Sequence, residues 1–349
     1  MSRPAQPTAG DGEVRIGPVA AIPRLLKTYG VHPNLTFRRA GVPLRAFRNP
    51  ENRIAIEDLG RLLAEGARAT NRADFSLLAG ESFELEGLGH IGSLMRNSAT
   101  VGEALRALLL HLYLHDRGAV PILINLDASY VLLGYSIHRH ETPGTPHLHD
   151  AAIAIGYRAL QGLCGPHWRA AHVQFAHARP ENARAYRRLF GPNVRFDAEV
   201  SGIVFASTWL DLAIPGADPE LRERALRAIR RARAHSTMGF ADLVRATLHP
   251  LVLSGTASAD NIALLFGVHE RTLRKRLAAE GTRLQRLVRE TRFELAKQLL
   301  ANTRLPIAEI ASALHFADAA VFSRAFRDWS RTSPRNWRTR RGRVRRMAR

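Results

Sequence analysis

Arg271, Arg274 and Lys275 stand at positions i, i+3 and i+4, a spacing that gathers three cations on one side of a helix. Arg324 sits in a similar setting further along the chain. A guanidinium carries a rigid fork of donors that matches two acceptors at once, whether on a phosphate or on the edge of a guanine. Leu273 and Leu277 fall on the far side of the first cationic face, and Phe322 and Phe326 fall opposite Arg324. Each apolar pair anchors its helix and so aims the charges outward. Thr272 adds a hydroxyl suited to a base or a phosphate.

Other residue sets suggest other chemistry. His138, His140, His147 and His149 cluster with Glu141 and Asp150, and His111 and His115 lie four apart, a spacing that can hold a metal. The cluster, however, is interrupted by Pro143 and Pro146, and no HExxH pattern accompanies it. His111 and His115 read instead as side chains of an amphipathic helix. "GLGHIG" is formally a G-x-G-x-x-G string, but no strand precedes it, so it reads as a loop that starts a helix. Ser93, Ser98 and Ser201 lack a nucleophile elbow. Nothing here calls for an enzyme, a metal or another cofactor.

Composition favours the cationic reading. Of 349 residues, 46% are hydrophobic and 23% charged, which suits a folded soluble protein, and the net charge is +20. That charge is uneven: residues 235–349 hold 22 Lys and Arg against 9 Asp and Glu, a balance of +13, whereas residues 1–234 carry +7. A polyanion is the natural partner for such a surplus, because each neutralised phosphate releases counterions. No segment reads as a membrane span or a signal peptide, so a cytoplasmic protein without a membrane role is expected. The single cysteine, Cys164, has no partner for an internal disulfide.

The elements that would carry these side chains follow from periodicity. Residues 1–17 read as a disordered leader. Residues 18–217 mix helices with short β-type runs such as "PILINLD", "YVLLGYSI" and "GIVFAS", and Thr100 with Glu103 forms a capping box at one helix start. Residues 218–239 read as a polar connecting helix, residues 240–340 as wholly helical, and residues 341–349 as a basic tail. Within 240–340 one unit occurs twice: Ile262, Ala263, Leu273, Lys275 and Leu277 superimpose on Ile310, Ala311, Phe322, Arg324 and Phe326. In each copy a short helix with a small alanine meets a tight turn, at Gly267 or His315, and then a second helix. "LQRLVRETRFELAKQLLAN" reads as one long helix between the copies, with Leu284, Leu287, Val288, Leu295 and Leu299 on one side. It could set two recognition helices about 34 Å apart, one turn of duplex.

In "RTLRKRL", "RFELAKQLL" and "IAEIASALHF…FSRAFRDWSRTSPRNWR" the chain resembles the AraC/XylS family of bacterial transcription regulators. The resemblance includes the family's SP-x-x-(W/Y)-R ending at Ser333, Pro334, Trp337 and Arg338. It implies an all-α domain with two helix-turn-helix units joined by a long helix, binding double-stranded DNA. Members usually have glycine where His315 and Arg331 stand here. At Ala319 and Ala320, positions from which relatives often reach bases, this chain offers only methyl groups. The second unit should therefore read sequence weakly, with Arg324 as its main base contact and phosphate contacts doing the anchoring. Residues 19–220, from "GVHPNLTFRRAGVP" to "AIPGADPEL", resemble the companion domain called arabinose-binding-like. That likeness implies an α+β domain that senses an unidentified small-molecule effector, with a homodimer contact as a further role. The rival reading is a small-molecule-binding protein whose basic end meets RNA or an anionic surface.

Overall fold

The computed structural model describes residues 12–116, 118–137, 142–180, 183–198, 200–234, 239–253, 255, 257–266, 268–303 and 305–339. The leader before Gly12, His138, His140, Glu141, Gly267 and the tail from Arg340 onward lie outside the described residues. The chain divides into two compact units, Met1–Ser236 and Thr237–Arg349.

The first unit is α+β, as the sequence implies. Its opening strand β1 (Glu13–Arg15) pairs antiparallel with β2 (Arg53–Ala55), and between them run helices α1 (Ile22–Thr28) and α2 (Pro33–Ala40). Helices α3 (Ile56–Thr70), α4 (Phe75–Glu81), α5 (Gly89–Arg96) and α6 (Val101–His111) follow. A hairpin of β3 (Ala119–Asn125) and β4 (Tyr130–Ile137) comes next, closed by Asp127, whose Oδ1 accepts from the backbone N–H groups of Ser129 and Tyr130. After α7 (Thr145–Cys164) come β5 (His172–Gln174), α8 (Arg184–Phe190), β6 (Val194–Arg195), β7 (Gly202–Ala206) and α9 (Pro219–Ala234). The larger sheet runs β3-β4-β7-β5-β6, antiparallel except for the parallel pair β5 and β6. Leu123 stands opposite Leu133, and Leu132 opposite Val204.

One core lies between this sheet and helices α5 to α9, with Trp168, Phe175 and Phe205 fully buried. A second gathers β1, β2 and the early helices around Ile16, Ile22, Phe37, Ile56 and Phe75. Close helix approach needs a small residue at the crossing of α4 and α7: a Cβ on Gly80 would lie 2.5 Å from the carbonyl oxygen of Ala151. The Thr100 cap is present, its side chain accepting from the Glu103 N–H at 3.2 Å, while Glu103 returns to the Ala99 N–H at 3.3 Å.

Two expectations need correction. Residues 1–17 are not wholly a disordered leader, because Glu13–Arg15 is a strand and Ile16 is fully buried. A three-residue strand shows no usable periodicity; it exists because β2 supplies the ladder and the core takes Val14 and Ile16. Nor is 218–239 a free connecting helix. Helix α9 buries Ala225 and Ile229 in the first unit's core, against α5. Its many arginines hide the apolar side, since only a narrow stripe touches the protein.

Among the second unit's described residues the regular elements are all helices: α10 (Phe240–Leu253), α11 (Ala259–Phe266), α12 (Glu270–Ala279), α13 (Leu284–Asn302), α14 (Ile307–Ala313), α15 (Ala319–Ser330) and a helical stretch over 334–339. Helix α13 is about 28 Å long at 1.5 Å per residue. It buries Leu287, Leu295 and Leu299 as expected, with Leu284 and Val288 only half-buried. The Glu280 carboxylate accepts from the N–H groups of Phe240 and Ala241 at 2.8 and 2.9 Å, capping the positive end of α10.

The two repeats have different interiors. Around α12 the fully buried side chains are aliphatic, Val244, Leu248, Ile262, Leu273 and Leu277 among them, with one half-buried ring pair, Phe240 and Phe266, at 5.2 Å. Around α15 it is aromatic: Phe326 lies 5.5 Å from Phe293, 5.8 Å from Phe322 and 5.8 Å from Trp337, and Trp329 lies 5.5 Å from Phe293, ring centre to ring centre. Trp329 and Trp337 thus act as core, not as stacking platforms. The SP-x-x-W-R ending has a mechanical role as well. Ser333 Oγ accepts from the Asn336 N–H, Pro334 is buried, and Arg338 donates to the Leu305 carbonyl at 2.6 Å.

His315 and Arg331 both adopt the left-handed backbone that glycine would favour, at φ 55° and 60°. His315 offsets this with a ring hydrogen bond from Nε2 to the Leu253 carbonyl at 3.0 Å, whereas Arg331 is exposed. Arg331→Gly should therefore stabilise the second unit by up to about 1 kcal/mol. Phe326→Ala should destabilise it by about 3–5 kcal/mol through cavity formation. Urea unfolding of the full chain, followed by tryptophan fluorescence and far-ultraviolet circular dichroism, measures both.

Candidate nucleic-acid interface and effector cavity

On α12, Leu273 and Leu277 are fully buried, while Arg271, Arg274 and Lys275 are exposed and Thr272 is half-buried. The anchoring and the display come from the same ten-residue helix. Arg274 is paired within the helix to Glu270, one turn earlier, and its side chain keeps 73% of its surface in water. An ion pair so exposed contributes little to stability, so this cation can be redirected at small cost.

On α15, Asp318 caps the helix by accepting from the Val321 N–H at 2.7 Å, which fixes the start of the helix beside Ala319 and Ala320. Phe322 and Phe326 are fully buried. Ala319 is half-buried, and Ala320 and Arg324 are exposed one turn apart. All seven residues singled out in the sequence lie on the two second helices of the repeats, and none is entombed.

The first unit contains a cavity of ≈ 120 Å³, bounded by β1, α3, α6, α7 and the sheet strands β4 and β7. Its wall is chiefly apolar, with Leu88, Leu108, Leu112, Leu133, Ile155 and Ile203 among the lining residues. Arg15, His115, Asp116 and Tyr135 are the lining residues whose side chains carry ionisable groups. The short strand β1 carries Arg15 there, held because the Arg15 N–H donates to the His115 carbonyl at 2.7 Å and Val14 bridges to Asp116.

The Arg15 guanidinium is almost fully engaged. It pairs with Glu51 through Nε (3.0 Å) and Nη2, and Nη1 donates to the Gly87 carbonyl at 2.6 Å and faces His115 Nδ1 at 3.4 Å. Desolvation, with Arg15, Arg53 and His90 nearby, lowers the His115 pKa to about 3, so its ring is neutral. The Asp116 carboxylate accepts from the N–H groups of Gly118 and Ala119 at 2.8 and 3.0 Å and from the Tyr135 hydroxyl. Desolvation outweighs these contacts and lifts its pKa to about 6.

Neither Arg15 nor Asp116 stands out in the sequence. Their signal is spatial, since β1, the end of α6 and β4 converge only in the fold. His115 also differs from its expected place, because α6 ends at His111 and His115 follows a short 3-10 turn, buried against Arg15.

Among the described residues, His147 and His177 have structural partners. Asp150, buried on α7, accepts from the Tyr186 hydroxyl at 2.9 Å and faces His177 Nε2 at 3.0 Å, and His147 Nδ1 lies 3.0 Å from Ser76 Oγ. Burial lowers the His149 pKa to about 4. His177 was not singled out in the sequence, and it joins α7 to the loop after β5.

Comparison with known proteins fits this geometry. The family model described as "Arabinose-binding domain of AraC transcription regulator, N-term" matches residues 30–214, and a helix-turn-helix domain model matches residues 262–340. The first match alone spans more than half of the chain, which therefore belongs to the AraC family of transcription regulators. The HTH-type transcriptional regulator VirS of Mycobacterium tuberculosis is 28% identical over 315 residues, covering 90% of this chain and 93% of that protein. The ornithine utilization regulator of Pseudomonas aeruginosa is 25% identical over 332 residues, with coverage of 90% and 93%. The crystal structure of the transcriptional regulator CdpR from Pseudomonas aeruginosa gives a TM-score of 0.44 at 22% identity, covering 88% of this chain and 96% of that one. The chain is a DNA-binding transcription regulator. Among its described residues no helix is long and apolar enough to cross a membrane.

The raised Asp116 pKa carries a sign. The native state holds this proton more tightly than the unfolded chain does, so the carboxyl adds stability that is fully present below about pH 4 and lost as pH rises through about 6. His115 works in the opposite direction, adding stability above its ordinary pKa that is lost as pH falls. Asp116→Asn removes only the first effect. Denaturant titrations at pH 4.5 and 7 should show wild type gaining stability relative to the variant at the lower pH.

Proposed function

We propose that the protein is a one-component, sequence-specific regulator in which α12 reads bases in a major groove and α15 mainly anchors a neighbouring groove. Arg271, Arg274 and Lys275 make the base or phosphate contacts on α12, with Thr272 beside them. On α15, Ala319 and Ala320 present methyl groups to the bases and Arg324 supplies the cation. The observation that carries this reading is the pairing of a fully buried leucine face with an exposed cationic face on one short helix. Glu270 holds Arg274 in the free protein and releases it to a better acceptor on DNA.

An effector in the first unit's cavity shifts the population of molecules able to grip the operator. The protein acts in the cytoplasm, alone or as a homodimer, and the scheme requires no catalytic step and no metal.

Arg274→Ala should weaken operator binding by about 1–3 kcal/mol and leave binding to random duplex nearly unchanged. A gel-shift titration against a selected operator, random duplex, hairpin RNA and anionic vesicles tests the reading. Equal loss on operator and random DNA would remove the base contact, and preference for RNA or vesicles would replace duplex DNA as the partner. Truncation before Arg340 should weaken specific and random binding together and flatten the salt slope if the tail contacts phosphates.

A further inference from the structure

We propose that the cavity of the first unit takes a small uncharged alcohol or phenol, its hydroxyl meeting Asp116 and His115 and its hydrocarbon body lying among the leucines. This rests on the reading of that cavity as the effector site and adds the chemical class of its ligand.

Size limits the body of the ligand first. At ≈ 120 Å³ the space is comparable to apolar cavities of about 150 Å³ that accept a benzene ring. A wall of leucine and isoleucine rewards a ring or a short branched chain through the apolar surface it takes out of water.

The polar corner then selects the head group. Arg15 has given its fork to Glu51 and one Nη1 donor to Gly87, so it presents no free pair of donors to a carboxylate. A carboxylate would also meet Asp116. An ammonium group would be drawn to Asp116 but would sit close to the guanidinium groups of Arg53 and of Arg15, the latter already paired with Glu51. A neutral head avoids both conflicts.

Hydrogen-bond capacity narrows the head further. With Nδ1 of neutral His115 turned to an Arg15 N–H, the ring proton resides on Nε2, where the described residues provide no acceptor. Asp116 Oδ2 accepts from Tyr135 and retains a lone pair for a second donor. One wall group thus wants an acceptor and its chain neighbour wants a donor. A hydroxyl supplies both functions from a single oxygen.

The same inventory disfavours a sugar, despite the name of the matching domain. An aldopentose bears a hydroxyl on nearly every carbon, and each one buried against leucine would give up its hydrogen bonds to water without replacement.

Thermal shift and calorimetric titration of the full-length protein with benzyl alcohol, toluene, benzoate, benzylamine and L-arabinose separate these head groups on bodies of similar size. Benzyl alcohol should bind about tenfold more tightly than toluene, with benzoate, benzylamine and arabinose weaker still. In His115→Phe the preference for benzyl alcohol over toluene should fall to within about twofold, while retained toluene binding shows that the cavity still forms. Benzoate, benzylamine or arabinose binding most tightly, no probe binding to the wild type, or an unchanged preference in the variant would each overturn the proposal. Operator shifts with the same probes keep the two readings apart. Benzyl alcohol that binds without altering operator affinity would retain the ligand class and reject the effector role. Benzoate or arabinose that alters operator affinity would retain the role and reject the class.

Discussion

Burial of one face of a short helix is the constraint on which the display of the cationic side chains depends. A long cationic side chain in water samples many rotamers, and fixing one costs up to about 2 kcal/mol of entropy. The protein cannot freeze each arginine, so it fixes the helix that carries them. Leu273 and Leu277 lock α12 by its apolar side, and Phe322 and Phe326 lock α15. The charged residues inherit a common direction from helix geometry, whatever their individual rotamers. The two repeats reach this end with different materials, aliphatic packing around α12 and a chain of ring contacts around α15. The SP-x-x-W-R segment belongs to the second solution, because Trp337 leans on Phe326 and Arg338 ties back to Leu305.

Backbone strain appears where these helices turn. His315 and Arg331 take left-handed conformations without being glycine, one at the turn before α15 and the other just after its end. His315 recovers part of the cost through its ring contact with Leu253, close to Gly255, where an added Cβ would lie 2.8 Å from the imidazole. Through that bond the turn of the second repeat is joined to the end of α10. Arg331 has no such contact in the described structure, and it brings a cation into a loop already rich in arginine.

The first unit shows the reverse arrangement, with polar groups turned inward. Arg15, His115, Asp116 and Tyr135 form a connected set, in which Glu51 and the Gly87 carbonyl satisfy the guanidinium while two backbone N–H groups and a phenol satisfy the carboxylate. Burying these groups is tolerable only because nearly all their hydrogen bonds are made. The few unused positions acquire chemical meaning for that reason. Desolvation also shifts His115 and Asp116 in opposite directions, so the ring is neutral at moderate pH and the acid is close to titrating.

By itself the sequence determined the local features. Helical period, a cap at Thr100, the repeated unit and the opposition of leucines to arginines are all written within a few turns of chain, and so the helix-turn-helix units and the exposed cations on their second helices were legible before any fold was known. What lay beyond reach came from contacts between distant segments. Three residues at Glu13–Arg15 look like part of a loose leader until β2 pairs with them, and the arginine-rich α9 looks like a linker until Ala225 and Ile229 find the core beside α5. The cavity is the clearest case, since Arg15, Asp116 and Tyr135 come from separate elements with no shared spacing. Period and capping are properties of neighbouring residues; a cavity belongs to packed surfaces, and only tertiary structure decides which surfaces meet.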